Sequence, residues 1–267
     1  LREDSFPIQG APMLEVRHLT KVFPNGTVAL RDVSFTVADG EFLAVIGLSG
    51  SGKSTLLRCI NRLIEPTSGQ VIWNGIDITA ASPRELRRIR RQIGMIFQQF
   101  NLVRRSSVLT NVLSGRLGYA DPWLSLLHYF PPEDHRRAVA ALERVGIADK
   151  IHSRADQLSG GQQQRVGIAR ALMQEPQLIL ADEPVASLDP VLAHSILQYL
   201  EQLNREEGIT VICSLHFLDL VHRYATRVIG LKDGMLVFEG HPKELTRQRF
   251  KEVYGEEAEM VTVGGNL

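Results

Sequence analysis

Two stretches near the start of the chain alternate apolar and polar residues, at positions 14–19 and 33–37. A period of two is typical of a strand that buries one face. Turn residues follow each stretch, at positions 23–26 and at Asp39–Gly40, so we expect an antiparallel β region before position 42. A further short strand is predicted at positions 71–73, between turns at 66–69 and at Asn74–Gly75.

Short uninterrupted apolar runs recur further along the chain, at positions 42–46, 93–97, 178–181, 210–214 and 227–231. Such runs are typical of strands that are buried on both faces, as in a parallel sheet. A last run at positions 235–238 is expected to close that sheet.

Helical patterns separate these runs. Apolar residues recur at helical spacing in positions 56–60 and 192–203, and Ser82, Pro83 and Glu85 together form a helix start with a capping box. From position 101 to about 156 helical patterning replaces strands, and includes a helix that opens at positions 132–134. The chain is therefore predicted to be α/β, with an inserted helical region.

Two segments allow a functional and a structural interpretation. The predicted helix after Ser82 carries an arginine cluster, which suggests either nucleic acid or a solvated helix face; its members are Arg84, Arg87, Arg88, Arg90 and Arg91. We favour the solvated face. Aromatic residues and prolines crowd positions 117–132, which form either a binding patch or the apolar side of a loop that packs on its own domain.

Charge and cysteine content narrow the class of protein. The 267 residues include 30 Lys and Arg and 30 Asp and Glu, a formal net charge of zero, which argues against nonspecific nucleic-acid binding. The two cysteines predict no disulfide framework and a reducing cytoplasm. No apolar run is long enough to span a membrane, so any membrane role is expected to act through a partner. We treat residues 1–12 as an N-terminal extension or added residues, and 255–267 as a loosely held tail.

Residues 47–55 fit the phosphate-loop pattern G-x-x-x-x-G-K-[ST], between an apolar run and a helical pattern. Glycines let consecutive N–H groups point at phosphate oxygens, and the dipole of the following helix adds to that attraction. Lys53 would reach the β- and γ-phosphates, and Ser54 would hold Mg²⁺. The predicted ATP-binding residues of this loop are Gly47, Ser49, Gly50, Ser51, Gly52, Lys53, Ser54 and Thr55.

Two carboxylates end the apolar run at positions 178–181. In a phosphate-loop ATPase the first of such a pair holds Mg²⁺ and a neighbouring acid can polarise the attacking water, so Asp182 is the candidate metal ligand and Glu183 the candidate general base. A second anion-binding helix start is predicted at Ser159, Gly160, Gly161 and Gln162. One phosphate loop and two such helix starts suggest that the second serves the nucleotide of another subunit.

With these motifs the chain resembles the nucleotide-binding subunits of ABC transporters, over about residues 13–250, with residues 158–162 matching the family's signature motif. The resemblance implies a P-loop NTPase (RecA-like) core with an antiparallel β subdomain, over 13–100 and 157–254, and an inserted α-helical subdomain at about 101–156. It also implies a head-to-tail homodimer around two ATP, in which Ser159 and Gly161 of one subunit meet the γ-phosphate held by Lys53 of the other.

Other family positions fall on single residues of this chain. Gln98 resembles the glutamine that touches Mg²⁺ and the attacking water, and His216 resembles the histidine that contacts the γ-phosphate. Residues 187–189 resemble the loop that crosses the dimer interface, with Asp189 as its acid and also as a helix cap. Phe23 resembles the aromatic that stacks on adenine.

The resemblance is to importer subunits in particular, since no membrane span, second cassette or coiled-coil insertion is found. Residues 118–147 and the run 182–190 resemble the phosphonate and phosphite importer ATPases, whereas 97–102 is shared with amino-acid importers, which are the alternative; a non-transport ABC ATPase is a less favoured one. Residues 104–107 depart from the usual importer segment. The implied partners are membrane permease subunits and, indirectly, a periplasmic or extracellular solute-binding protein, with no nucleic acid. The implied location is peripheral, on the cytoplasmic face of the cell membrane.

Overall fold

The structure is a computed structural model that describes residues 12–255 apart from 122, 124, 126–128 and 187, and only the backbone of Arg247. Positions 1–11 of the predicted extension at 1–12, most of the predicted tail, Ser187 and part of the aromatic segment therefore lie outside the described residues.

Six strands form the larger sheet. In spatial order they are Met235–Gly240 (β10), Arg227–Lys232 (β9), Phe42–Ile46 (β3), Thr210–Ser214 (β8), Leu178–Ala181 (β7) and Ile93–Ile96 (β6). All neighbours pair in parallel except β10, which runs antiparallel to β9 at the edge. The buried-strand runs of the sequence thus form one sheet. The predicted strand at 93–97 is one residue too long, because β6 ends at Ile96 and Phe97 lies outside it.

The two faces of this sheet bury different layers. In β3, Phe42, Ala44 and Ile46 join one core cluster, while Leu43 and Val45 join the other. This alternation explains why the run is apolar throughout: both faces are covered, so no position is left for a polar residue.

The smaller sheet is antiparallel, in the order Val28–Val37 (β2), Leu14–Val22 (β1), Ser68–Trp73 (β4) and Ile76–Asp77 (β5). The predicted turn at 66–69 is wrong in its second half, because Ser68 already pairs with Thr20. The β1–β4 register shifts between Arg17 and Thr20, and a side chain at Gly69 would come within 2.3 Å of the His18 carbonyl oxygen. A glycine that signals a turn in sequence here permits a bulge within a ladder.

Eight helices are described, at Lys53–Ile60 (α1), Pro83–Arg91 (α2), Val108–Leu113 (α3), Pro132–Arg144 (α4), Gly160–Leu172 (α5), Pro190–Glu207 (α6), Leu218–Tyr224 (α7) and Arg247–Tyr254 (α8). α1 packs in the same core as the antiparallel sheet, whereas α4, α5 and α6 cover the other face of the larger sheet. α3 and α4 follow β6 and precede β7, where helical patterning was predicted. The division into core, β subdomain and helical subdomain remains our proposal.

The arginines of α2 are not all solvated. Ser82 caps the helix with the predicted capping box, and Arg84, Arg87 and Arg88 are exposed. Arg90, however, donates hydrogen bonds to the carbonyls of Asn61 and Arg62 at 2.9 and 2.6 Å. The solvated-face interpretation therefore holds for only part of the cluster, since Arg90 closes the carbonyl end of α1.

In the aromatic segment, Phe130 is buried while Trp123 and Tyr129 are exposed, at 78% and 56%. Both cysteines are buried, and neither forms a disulfide. Over the described ranges, no helix has the length and apolar character needed to cross a membrane.

Candidate nucleotide-binding and hydrolysis site

The phosphate loop, residues 47–55, connects the carboxyl end of β3 to the first residues of α1. Gly47 has φ 146°, and a Cβ there would lie 2.2 Å from the Leu231 carbonyl oxygen; Gly52 has φ 107°, and a Cβ there would lie 2.4 Å from the Ala29 carbonyl oxygen. These contacts are with backbone that cannot move aside. Glycine is thus required at both ends of the loop by space as well as by φ.

Lys53 is buried at the base of this loop, with 3% of its surface exposed. Its Nζ donates hydrogen bonds to the carbonyls of Gly47 and Leu48, at 2.8 and 2.9 Å, and lies 3.8 Å from Glu183 Oε1. Burial lowers the pKa of the ammonium, and the nearby Glu183 and Asp182 carboxylates oppose that effect. The loop's own carbonyls therefore fix the direction of the Lys53 ammonium.

Asp182 follows β7 and is completely buried. Its Oδ1 accepts a hydrogen bond of 2.7 Å from the Ser54 hydroxyl, and its Oδ2 accepts one of 3.1 Å from Arg58. Two of the three residues predicted to contact Mg²⁺, Ser54 and Asp182, therefore meet through their oxygens. One carboxylate beside a hydroxyl is a typical protein contribution to Mg²⁺, which takes its other ligands from phosphates and water.

Glu183 turns away from the strand with φ 48°, a conformation that L-residues rarely adopt and that concentrates at functional sites. Its N–H donates to the Ser214 hydroxyl at 2.7 Å. One carboxylate oxygen, Oε1, lies 2.6 Å from His216 Nε2, and the other, Oε2, accepts a 2.8 Å hydrogen bond from the Gln98 amide. The hydrogen bond from His216 is the largest cause of a lowered Glu183 pKa, against which burial acts, so the carboxylate is held ionised.

Four strand ends thus supply one site. Lys53, Asp182 with Glu183, His216 and Gln98 follow β3, β7, β8 and β6 in that order, and the carboxyl edge of a parallel sheet is where ligands bind in open α/β folds. The predicted catalytic residues are brought together within hydrogen-bonding or ion-pair distance of Glu183.

The second predicted helix start has a different character. Ser159 is the N-cap of α5, and its hydroxyl and the Gln162 side chain form a reciprocal capping box. Ser159 and Gly160 are exposed, while Gly161 is buried, with its Cβ position 2.7 Å from Leu192. Among the residues that the structure describes, the side-chain hydrogen bonds at Ser159 are all local, so its exposed face is available to a ligand.

A model of the ABC transporter family matches residues 30–186, which include the phosphate loop, the α5 start and both carboxylates. The chain belongs to the ABC transporter family. The predicted P-loop α/β fold, the predicted ABC-type ATPase activity and the binding of ATP are confirmed with it.

Similar proteins agree with this membership. The chain is 55% identical to the phosphonates import ATP-binding protein PhnC of Bdellovibrio bacteriovorus, over 95% of this chain and 98% of that protein. It is 51% identical to phosphonates import ATP-binding protein PhnC 3 of Halalkalibacterium halodurans, over 91% and 94%. A dimeric ATP-binding cassette solved in a post-hydrolysis state with ADP and Pi is 37% identical, with a TM-score of 0.78 over 86% of this chain and 99% of that one.

Two further residues predicted from the ABC resemblance lie at the margins of the site. Asp189 caps α6, accepting hydrogen bonds from the N–H groups of Val191 and Leu192, as expected for the cap. Phe23 is half-buried in the turn after β1, with Lys21 Nζ 5.2 Å from its ring centroid. Their roles at a dimer interface and at adenine remain predictions.

Three residues that position this ABC site were not predicted from the sequence. Arg58 holds the second oxygen of Asp182, Ser214 holds the Glu183 backbone, and the Tyr254 hydroxyl accepts a 3.4 Å hydrogen bond from the Gly47 N–H. Ser214 did carry a signal, since a serine that ends an otherwise apolar strand needs a buried partner. Arg58 and Tyr254 follow no local pattern.

Proposed function

We propose that the chain is the ATP-hydrolysing subunit of an importer for phosphonate, phosphite or a related oxyanion, and that it works as a homodimer on a separate membrane permease. The observation that carries the hydrolytic part is the Glu183 carboxylate, ionised and held between Gln98 and His216 beside Lys53. This arrangement suits a base that must face one water molecule.

In the proposed reaction, water attacks the γ-phosphorus of ATP in line with the leaving group. Glu183 orients that water and accepts its proton, since each carboxylate oxygen has a lone pair beyond the one bonded to Gln98 or His216. His216 and Gln98 keep the carboxylate from rotating. Lys53, aimed by the loop carbonyls, stabilises charge on the transferred phosphoryl group.

Ser54 and Asp182 are the residues that would hold Mg²⁺. Their oxygens lie 2.7 Å apart and both suit a hard cation, and Gln98 is the proposed third contact. When bound, the ion neutralises charge on the β- and γ-phosphates. Arg58, on the other oxygen of Asp182, fixes the plane of the carboxylate.

The proposed homodimer rests on the exposure of Ser159 and Gly160 at a capped helix start and on the dimeric cassette to which the chain is similar. In it, residues 159–162 of one copy bind the γ-phosphate held by Lys53 of the other, with Asp189 near the interface. The proposed solute and permease rest on the relatives named as phosphonate import proteins, and they set the proposed location on the cytoplasmic face of the membrane.

Substitution Glu183→Gln tests the hydrolytic proposal. We expect ATP binding to persist while turnover falls about 10²–10⁴-fold, the usual contribution of a general base, and a dimer to accumulate with ATP. Phosphate release and size-exclusion chromatography measure the two effects. Glu206→Gln, at an exposed carboxylate on α6, is the control. Normal steady-state hydrolysis by Glu183→Gln would overturn the assignment.

The solute is tested in cells that depend on this chain for phosphorus. We expect growth on methylphosphonate or phosphite as sole phosphorus source with the wild-type chain and none with Glu183→Gln. Dependence on the chain for growth on a polar amino acid instead would favour the alternative importer, for which residues 97–102 are the supporting feature.

A further inference from the structure

The segment that carries Gln98 bends sharply just after it leaves the site. Phe100 and Asn101 have φ values of 58° and 48°, two consecutive residues in the left-handed region without a glycine. Asparagine tolerates this conformation, but phenylalanine rarely adopts it. Such a turn persists only where its surroundings hold it.

Arg170 of α5 stabilises this turn through two hydrogen bonds. Its Nη2 donates to the Phe100 carbonyl at 2.8 Å, and its Nη1 donates to the Asn101 carbonyl at 2.6 Å. The planar guanidinium thus spans the carbonyls of both left-handed residues, a geometry that a lysine cannot reproduce. Burial lowers the pKa of this side chain.

The rest of the α5 surface is shaped to the same turn. A Cβ at Gly160 would lie 3.8 Å from the Phe100 ring, and one at Gly167 would lie 3.9 Å from the Phe100 carbonyl oxygen. Positions 160 and 167 share one stripe of a helix, so this stripe of α5 faces the turn.

We propose that Arg170 is a positioning residue that holds the turn at Phe100–Asn101 against α5, so that Gln98 and Ser159 move as one unit. Gln98 touches Glu183 of its own chain, whereas Ser159 starts the helix that Arg170 belongs to. A displacement of the α5 start would therefore change the position of the Gln98 amide on the Glu183 carboxylate. The inference rests on the proposed function, because Glu183 must be the base for this position to affect turnover.

A double-mutant cycle in the full chain tests the proposal. We expect Arg170→Gln to lower kcat about tenfold, within the usual range of coupling between contacting groups, with the KM for ATP changed less than about twofold. If Arg170 acts through Gln98, Gln98→Ala with Arg170→Gln should have the kcat of Gln98→Ala alone.

Arg165→Gln is the matched control, since Arg165 lies on the same helix and its guanidinium donates to the Val145 carbonyl and the Ser195 hydroxyl, at 2.7 and 3.1 Å. The effect of Arg165→Gln on kcat should multiply with that of Gln98→Ala. Thermal midpoints of all variants report loss of fold, and Arg170→Lys takes the place of Arg170→Gln if the latter does not fold.

The positioning role is overturned if the effects of Arg170→Gln and Gln98→Ala on kcat multiply in the double variant. It is also overturned if Arg170→Gln lowers kcat no more than Arg165→Gln does. Failure of the proposed function has a different result: Glu183→Gln would then hydrolyse ATP like the wild type.

Discussion

The two anion-binding helix starts of this chain differ in how far their contacts extend. The phosphate loop is linked to the far parts of the sequence, through Ser54 to Asp182 and through Gly47 to Tyr254. The start of α5 is closed on itself, with Ser159 and Gln162 bonded to each other. Lys53 is buried at the first, whereas Ser159 is exposed at the second.

This difference shows which part of the site the chain completes alone. The phosphate loop is buried and hydrogen-bonded to distant parts of the chain, so its groups are already held in place before a ligand binds. An exposed cap whose hydrogen bonds are local leaves its outer face open to a second surface. We infer that residues 47–55 form half of a composite site and residues 159–162 half of another.

Substitution of Ser159 by Arg should have the largest effect on turnover. We expect turnover to fall about 10²–10³-fold, the usual loss when one donor to a developing charge is removed, while ATP binding by the isolated chain hardly changes. Ser82→Arg is the matched control, because Ser82 caps α2 with the same capping box. Each variant loses a cap, which is worth about 1 kcal/mol, so their thermal stabilities should fall together while only Ser159→Arg loses activity.

Mixing Ser159→Arg with Lys53→Ala tests whether the two halves of the site come from different copies of the chain. Each homodimer would have two defective sites, whereas the mixed dimer has one site with both Lys53 and Ser159 intact. Turnover should therefore return on mixing. Two inactive variants that stay inactive together, although they associate, would show that the two halves do not meet.

Substitution of Ser214 by Ala tests the links within the buried half. Its hydroxyl accepts the Glu183 N–H at 2.7 Å, and a buried N–H without a partner costs ~1–3 kcal/mol. We expect kcat to fall about tenfold as the left-handed turn at Glu183 loosens, with less effect on ATP binding. Ser34→Ala removes the same kind of bond, from the His18 N–H at 2.8 Å in β1, and should leave kcat unchanged. Equal effects from both variants would contradict a specific role for Ser214.

The sequence was sufficient for the parts of the site that repeat a local pattern. The loop at 47–55 and the carboxylates at 182 and 183 follow apolar runs, and parallel strand order then brings their ends together. The bond between Tyr254 and Gly47 joins residues 207 positions apart, which no spacing rule reaches.

Misassigned elements have similar causes. Gly69 breaks the local pattern and so predicts a turn at Ser68, although the glycine serves the approach of the His18 carbonyl from a neighbouring strand. The local pattern predicts a solvated Arg90, because the carbonyls that bind it, near the end of α1, lie 28 and 29 positions earlier in the chain.

Substitution His216→Ala should have the smallest of these effects, a change in the pH dependence of turnover. The His216 hydrogen bond is the largest cause of the lowered Glu183 pKa, so the wild-type kcat should fall only at a pH below the ordinary carboxyl value of 4.5. In His216→Ala, residual turnover should fall at a higher pH, because the Glu183 pKa returns toward its ordinary value. His194→Ala, at a histidine bonded to Tyr224, is the control.

The pH dependence of stability should also change in His216→Ala. A carboxyl whose pKa is lowered by folding stabilises the native state above its unfolded pKa, and that contribution is lost as the pH falls through the folded value. Without His216 the folded and unfolded pKa values of Glu183 converge, so the free energy of unfolding should depend less on pH in the acid range. The wild type and His216→Ala could instead give superimposable pH profiles of kcat and of the free energy of unfolding. That result would show that Lys53 alone keeps Glu183 ionised. The site would then depend on the phosphate loop even more than its hydrogen bonds indicate.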